Sequence, residues 1–551
     1  MGNNVVIGVD FGTDSVRALV VDTQGAVAAS AVAPYPRWKK GLYCDPARNL
    51  FRQHPLDYTE GLTTAVTRAL EKAGVAVAGR VRGLSIDTTG STPAAVDQTG
   101  TPLSLLPEFQ DDPDGMFILW KDHTGVAEAE EINAACAARP EDDYVKYSGG
   151  VYSSEWFWSK ILHTLRANEK IRAHAFSWVE HCDWISGLLC GNTDPLTLKR
   201  SRCAAGHKAL WHASWGGLPS EEFLSSLDPL LAGVRDRLFT ETFTSDRPMG
   251  TISSEWAERL GLPPDTVVGV GAFDAHMGAV GGQITPYTLS KVMGTSTCDM
   301  LVAPTDHIGD KLIRGICGQV DGSIIPGMMG LEAGQSSFGD VYAWFADLLS
   351  WPLASLSQRG LVTMNGGGEP AAIILEELTR AAKQLPAGDG TLFALDWLNG
   401  RRTPFADQNL KAGLYGLSLG STAPKVFRAL VEATACGARK IVECFTGQGI
   451  PIKSVIALGG VAKKSPYIMQ TIADVLGTTI KVARSDETCA LGAAMFAAVA
   501  SGLFPSVEEA QQGMGAGFEA EFVPDAGRKK EYDTLYARYN ALGSFVEKNL
   551  R

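Results

Sequence analysis

Ile7-Gly8-Val9-Asp10-Phe11-Gly12-Thr13-Asp14-Ser15-Val16-Arg17-Ala18-Leu19-Val20-Val21-Asp22 is two apolar runs joined by a short polar turn. Val5, Ile7 and Val9 suit a buried strand, and Val16 to Val21 resumes one. Gly12 interrupts the pattern at the point where a backbone turns tightly or approaches a ligand closely. Thr13, Asp14 and Ser15 then place hydroxyls, backbone N–H groups and a carboxylate in one turn. Such a turn can cradle a phosphate, and Asp10 at its mouth can hold a magnesium ion, a hard cation that prefers oxygen. Taken alone, the stretch reads equally well as an ordinary core hairpin.

The plan returns at Lys291-Val292-Met293-Gly294-Thr295-Ser296-Thr297-Cys298-Asp299-Met300-Leu301-Val302, with Met293-Gly294-Thr295-Ser296 echoing Phe11-Gly12-Thr13-Asp14. Two such hairpins in two halves of a chain suggest a duplicated domain with a nucleotide between the copies. A third glycine loop, Gly459-Gly460-Val461-Ala462-Lys463, ends an apolar strand and opens a helix. A nucleotide sits at such a place in an α/β sheet, although a plain strand-to-helix turn reads the same way. The loop is not GxGxxG, and no Walker A motif occurs.

Val267-Val268-Gly269-Val270-Gly271-Ala272-Phe273-Asp274 delivers a carboxylate from a strand to a glycine-rich turn. Asp274 there can accept the proton of an attacking hydroxyl, or merely cap a helix. Val81 to Ile86 is a strand ending in Asp87-Thr88-Thr89-Gly90, where polar residues are placed for a ligand or for a turn. Small Ala94 and Ala95 leave room beside it. Trp120, in Leu119-Trp120-Lys121-Asp122-His123, has an aromatic face suited to the C–H face of a sugar. Lys208, on sequence alone, reads as an exposed lysine. Trp156 and Trp158 read as core. His181 and Asp183 lack a third ligand at metal spacing and read as structural.

The order of the glycine loops resembles the FGGY family of sugar kinases, within the actin/hexokinase/Hsp70 superfamily. The resemblance runs from about residue 5 to the C-terminal helix. Asp87-Thr88-Thr89-Gly90-Ser91-Thr92-Pro93, Leu119-Trp120-Lys121-Asp122-His123 and Arg202-Cys203-Ala204-Ala205-Gly206-His207-Lys208 resemble its ribulose-phosphorylating branch. This implies an α/β fold of two duplicated actin/hexokinase-like (ribonuclease H-like) domains flanking a cleft, at residues 1–281 and 282–551. It implies ATP and Mg2+, phosphorylation of L-ribulose at C5 in L-arabinose catabolism, and Asp274 as the base. The sugar is expected at Thr88, Thr89, Ala95, Trp120, Lys208, Asp274 and Glu332. The nucleotide is expected at Gly12, Thr13, Asp14, Ser15, Arg17, Gly294, Thr295, Ser296, Gly334, Gln335, Gly459, Gly460, Ala462 and Lys463, with the metal at Asp10. Leu395 to Pro404 resembles a structural segment of the family. Lys425 departs from the second family signature, which prefers an acid, amide or His there. Alternatives are a D-ribulose, xylulose or pentitol kinase, or an actin- or Hsp70-like ATPase switch.

Composition fits this class. The chain has 551 residues, 45% hydrophobic and 20% charged, which suits two or more globular domains. A net charge of -12 argues against nucleic-acid partners. The ten cysteines form no CxxC pair, which argues against zinc and fits a reducing cytoplasm. No signal segment opens the chain, and the most apolar stretch, Ala490 to Phe504, reads as a buried helix rather than a membrane span. The expected partners are therefore a small sugar and ATP, without membrane or nucleic acid, and the resemblance allows a homodimer.

Overall fold

The computed structural model describes residues 4–362, 369–386 and 391–550; of the flexible loop that the sequence predicts at Gly366–Pro370, residues 366–368 lie outside them. The opening stretch forms β1 (Val5–Phe11) and β2 (Ser15–Asp22), and β3 (Val27–Pro34) completes an antiparallel meander. Helix α1 (Pro55–Ala73) covers one face of the meander, which it meets through buried Tyr58, Leu62, Ala65, Val66 and Ala69. The chain then returns parallel to β1 as β4 (Val81–Thr88).

Beyond it come α2 (Phe157–Ala167) and α3 (Arg202–Lys208), then β5 (Pro248–Thr251), β6 (Val267–Gly269) and β7 (Ala272–Phe273). The strands order as β5-β6-β4-β1-β2-β3, with β7 also pairing β4. α4 (Asp274–Gly281) closes this half.

The second half repeats the arrangement. β8 (Thr288–Met293), β9 (Thr297–Pro304), β10 (Gly318–Asp321) and β11 (Met328–Gln335) are joined in antiparallel pairs. After α5 (Gly339–Gln358) and α6 (Ala423–Thr446), β12 (Ser454–Leu458) and β13 (Ile480–Ala483) add in parallel. α7 (Thr488–Ala500), β14 (Phe518–Phe522) and α8 (Lys529–Asn549) complete the chain. The sheet order β10-β11-β9-β8-β12-β13-β14 contains the sequence β11-β9-β8-β12-β13, which matches β3-β2-β1-β4-β6 strand for strand.

The duplication extends to the turns. Gly12 N–H donates to the Ser15 carbonyl at 3.0 Å, and Gly294 N–H donates to the Ser296 carbonyl at 3.0 Å. The second turn is one residue shorter, because Phe11 faces Val16 whereas Met293 faces Thr297.

A cut at 281/282 separates the two sheets but not their cores. α7 follows that cut yet packs on the first sheet: a Cβ at Gly8 of β1 or Gly83 of β4 would overlap the backbone of Ala490 or Ala497. α4 crosses α7 at glycines on both sides. A Cβ at Gly281 would meet the Thr488 carbonyl, and one at Gly492 would meet the Met277 carbonyl. Both obstacles are backbone, so neither can rotate away. Gly492→Ala is therefore expected to cost more than the roughly 1–3 kcal/mol typical of an extra methyl in a packed core. Thermal denaturation checks this; an unchanged midpoint would mean that the helices can separate freely.

Candidate active site

The parallel strands β1, β4 and β7 all run toward one edge of the first sheet. Asp10 pairs with Asp87 across β1 and β4, and Asp87 pairs with Ala272 of β7. Asp274, two residues further on, opens α4, where Ala275 N–H donates to its Oδ1 at 2.6 Å. Strand register brings Asp10 and Asp87 together, and the helix start that follows β7 adds Asp274. Burial pushes all three up. For Asp87 the neighbouring Asp10 and Asp274 add to the rise. For Asp10 the Arg17 guanidinium, 3.2 Å away, partly offsets it. Asp274 is pushed up to about 7, by burial first and then by Asp10.

Above these carboxylates lies a cleft of about 690 Å3 between the two halves. Thr13, Asp14, Thr89, Trp120, Lys208 and Asp274 line it from the first half; Gly294, Thr295, Ser296 and Glu332 line it from the second. The two glycine turns therefore face one space. The first turn is clamped from behind. Trp120 Nε1 donates to Thr13 Oγ1 at 3.1 Å, Gln53 Nε2 donates to the Thr13 carbonyl at 2.6 Å, and Trp38 Nε1 donates to Asp14 Oδ1 at 2.6 Å. The second turn is held by the start of α5: Phe338 and Asp340 N–H both donate to the Thr295 carbonyl. Gly459, at φ +90°, lies against the Met293 backbone and brings the third loop beside the second turn.

The floor of the cleft is an ion pair between the halves. Lys208 Nζ, at the end of α3, donates to Glu332 Oε1 and Oε2 at 2.6 and 2.9 Å. Lys208 is buried, not exposed as its sequence alone suggests. Its ammonium lies 4.9 Å from the centre of the Trp156 ring. Burial raises the Glu332 carboxyl, but Lys208 and then His207 and His276 outweigh burial and leave it near 2.

Several expected residues stand elsewhere. Gly334 and Gln335 are not in a glycine loop: β11 runs through Gln335, paired with Thr297, and its side chain donates to Asp396 and to the Thr434 carbonyl. Both serve packing. The Lys463 ammonium is taken up by the Arg484 carbonyl and by Asp486, at 2.7 and 2.5 Å, rather than directed into the cleft. Arg17 pairs with Asp10 and Glu487 and does not line the cleft. Gly12, Ser15, Gly460 and Ala462 flank the turns without lining the cleft. Thr88 bonds its own turn, and Ala95 is buried with Trp178 and Trp158 behind the cleft wall.

The cleft also has members that sequence reasoning missed. Trp156 packs in the core with Tyr152 and Trp158, as read, and also borders the cleft, whereas Trp158 does not, donating its Nε1 to the Ala209 carbonyl. Asn399, Arg401 and Arg402, from a segment read as structural, line it too. Glu155 stands 3.5 Å from Arg402 and 3.7 Å from His123. His181 stacks on Tyr58 with ring centres 3.6 Å apart, a structural role as expected.

The residues present fit a divalent metal. Asp87 is fully buried and both its carboxylate oxygens lack a hydrogen-bond partner. Asp10 is nearby, the ligand atoms of Asp10, Asp87 and Cys489 all lying within 4.8 Å of one another. A buried acid with no donor of its own, set beside a second acid, is what a hard cation neutralises.

Comparison with known proteins agrees with the duplicated fold. Residues 5–281 match the N-terminal domain of the FGGY family of carbohydrate kinases, and residues 289–501 its C-terminal domain. A ribulokinase of Vibrio parahaemolyticus is 50% identical over 543 residues, covering 98% of this chain and 96% of that one. One from Geobacillus thermodenitrificans is 37% identical, covering 99% and 95%. Solved structures of xylulose kinases from Brucella ovis and Rhodospirillum rubrum superpose with TM-scores of 0.78 and 0.77 at 19% and 21% identity, each over 99% of both chains. At that identity they speak for the fold alone. The chain has the two-domain actin/hexokinase-like fold and belongs to the FGGY family of carbohydrate kinases.

Proposed function

We propose that the protein is a ribulokinase, transferring the γ-phosphoryl group of ATP to the C5 hydroxyl of L-ribulose. The observation that carries the reading is the meeting of Asp274, the two glycine turns and the Lys208–Glu332 pair in one cleft, in a chain half identical to a named ribulokinase.

In this reading the sugar lies against Trp120 and Trp156, with Lys208 and Glu332 binding its hydroxyls from opposite halves. Asp274 accepts the proton of the attacking hydroxyl and orients it in line with the phosphorus. The Gly12–Ser15 and Gly294–Ser296 turns hold the β- and γ-phosphates through N–H groups and hydroxyls, and the Gly459 loop takes the nucleoside. Asp10 and Asp87 would hold Mg2+, which supplies charge neutralisation at the phosphates. Closure of the halves excludes water, which would otherwise compete as acceptor.

The 50% identity to a named ribulokinase favours ribulose over xylulose. Within this reading the partners are the sugar and ATP, and the net charge of -12 disfavours nucleic acid. The family resemblance allows a homodimer. Ten free thiols suit the reducing cytoplasm, where L-arabinose is catabolised. Among the described residues no helix is long and apolar enough to cross a membrane.

Two tests follow. Incubation with L-ribulose and Mg-ATP should give a phosphorus resonance split into a triplet by a CH2 group, with the carbon shift of C5 moved. A doublet would place the phosphate on a secondary hydroxyl and contradict the geometry. Thr13→Ala and Thr295→Ala should each weaken ATP binding in calorimetry by about 10- to 100-fold, the loss of one hydrogen bond to a charged group. Unchanged affinity in both would remove the turns from the nucleotide site.

A further inference from the structure

Beside the ion pair on the cleft floor, two buried histidines face the same carboxylate. His207 Nδ1 lies 3.3 Å from Glu332 Oε2, and His276 Nε2 lies 3.8 Å from the same oxygen. The candidate ligand atoms of His207, His276 and Glu332 all fall within 4.8 Å of one another, and all three residues are at least nine-tenths buried. Nothing in the proposed reaction uses either imidazole.

The hydrogen bonds fix the tautomer of His207. Ser323 Oγ donates its proton to the Val320 carbonyl at 3.2 Å. At 2.9 Å from His207 Nε2 it then accepts, and the ring proton is assigned to Nε2 on that basis. Nδ1 is left as a lone pair facing a carboxylate oxygen, and it has no hydrogen-bond partner. His276 has none at either ring nitrogen. Burial lowers both imidazoles, His276 to about 4, so both are neutral at neutral pH, as a metal ligand must be. The Ser323 contact is the outer-shell hydrogen bond that ordinarily orients a metal-binding histidine.

A four-coordinate ion holding nitrogen and oxygen at about 2.0–2.2 Å keeps neighbouring ligand atoms about 3.3–3.6 Å apart. The spacings about Glu332 Oε2 are already close to that edge. Two imidazoles and a carboxylate suit zinc and similar borderline ions better than magnesium or calcium.

We propose that His207, His276 and Glu332 form a binding site for a borderline divalent cation such as Zn2+, whose entry displaces Lys208 from Glu332. The competing charge is Lys208 itself, and its displaced ammonium has the Trp156 face beside it to receive it. On the sugar assignment given above, the ion makes the cleft floor unavailable and acts as an inhibitor competitive with the sugar.

Equilibrium dialysis of zinc chloride against the full chain, without sugar, ATP or magnesium, tests binding independently of that assignment. One ion per chain is expected. His276→Gln should weaken retention at least tenfold, while Cys489→Ser should leave it unchanged, separating this site from the Asp10–Asp87–Cys489 cluster. Wild-type protein that retains no ion, equal retention by His276→Gln, or loss in Cys489→Ser overturns the proposal. Cobalt(II) gives a second readout needing no variant. The expected spectrum is visible ligand-field absorption of a low-coordinate nitrogen–oxygen site; a thiolate charge-transfer band, or the spectrum of the aqueous ion, overturns it.

Discussion

Asp274→Asn should leave a folded protein that binds ATP with wild-type affinity and has lost about 10²–10⁴-fold in kcat, the usual contribution of a positioned base. The substitution keeps the volume and a carbonyl oxygen to accept the Ala275 N–H, so it removes little but the basic charge. Calorimetry with ATP and initial rates with sugar separate the two effects. Loss of ATP binding together with a melted fold would mean that the residue is only the first residue of a structural helix. The carboxyl also sets a pH signature. With its pKa raised to about 7, Asp274 is protonated, and unable to accept a proton, in acid. The wild-type kcat/KM should therefore rise with pH through about 7 and level off above it. Since kcat/KM reports the free enzyme, a flat profile from pH 6 to 8 would contradict the assignment.

Breaking the floor of the cleft should cost fold and sugar binding in different proportions. Lys208→Met leaves Glu332 buried as an uncompensated charge, which typically costs 3–5 kcal/mol; Lys208→Met combined with Glu332→Gln removes that charge and should recover much of the loss. The single variant lacks one and the double variant both of the groups proposed to hold the sugar, so both should show a sugar KM raised at least tenfold. Denaturant titration and steady-state kinetics make the comparison. A double variant no more stable than Lys208→Met would mean that the pair is not acting through its charge.

The pair also carries a pH dependence. The Glu332 carboxyl is held at about 2 in the folded chain, against 4.5 for an ordinary glutamate, so its contribution is fully present above about 4.5 and is lost as pH falls toward 2. Lys208 is raised by Glu332 despite burial, so its contribution holds below the ordinary lysine value and is lost only in strong base.

What the chain reveals by inspection is local. The Gly12 and Gly294 turns were legible because strand, Gly-Thr and strand lie within one window, and Asp274 because a branched strand ends on it. The fold follows, since two copies of one hairpin leave few ways to build a sheet around each. Gly334 and Gln335 show the limit of a local reading: the stretch from Gly327 to Ser336 is glycine-rich, yet register with Thr297 through Pro304 makes Met328–Gln335 a strand. Lys463 looks free for a nucleotide until the turn after β13 brings in Asp486.

Long-range partnership is the part that the order of residues hides. Lys208 and Glu332 were both named, but their pairing across 124 positions exists only once both halves are folded. Asp87 was quoted as part of a polar turn, and its role among three acids comes from strand register with Asp10. Trp156 reads as core and is buried with Tyr152 and Trp158, yet it also borders the cleft, which its place ahead of an amphipathic helix does not reveal. His276 sits two residues after the base, and no spacing rule connects it with His207.

The central claim is that this cleft moves phosphate to a ketopentose. ADP release coupled to a reporter, with Mg-ATP and in turn L-ribulose, D-ribulose, D-xylulose, L-xylulose, ribitol, glycerol and no sugar, tests it most directly. The account predicts rapid turnover with L-ribulose and little without sugar. Equal ADP release with and without every sugar would contradict it, leaving an ATPase in which Asp274, Lys208 and Glu332 hold no acceptor.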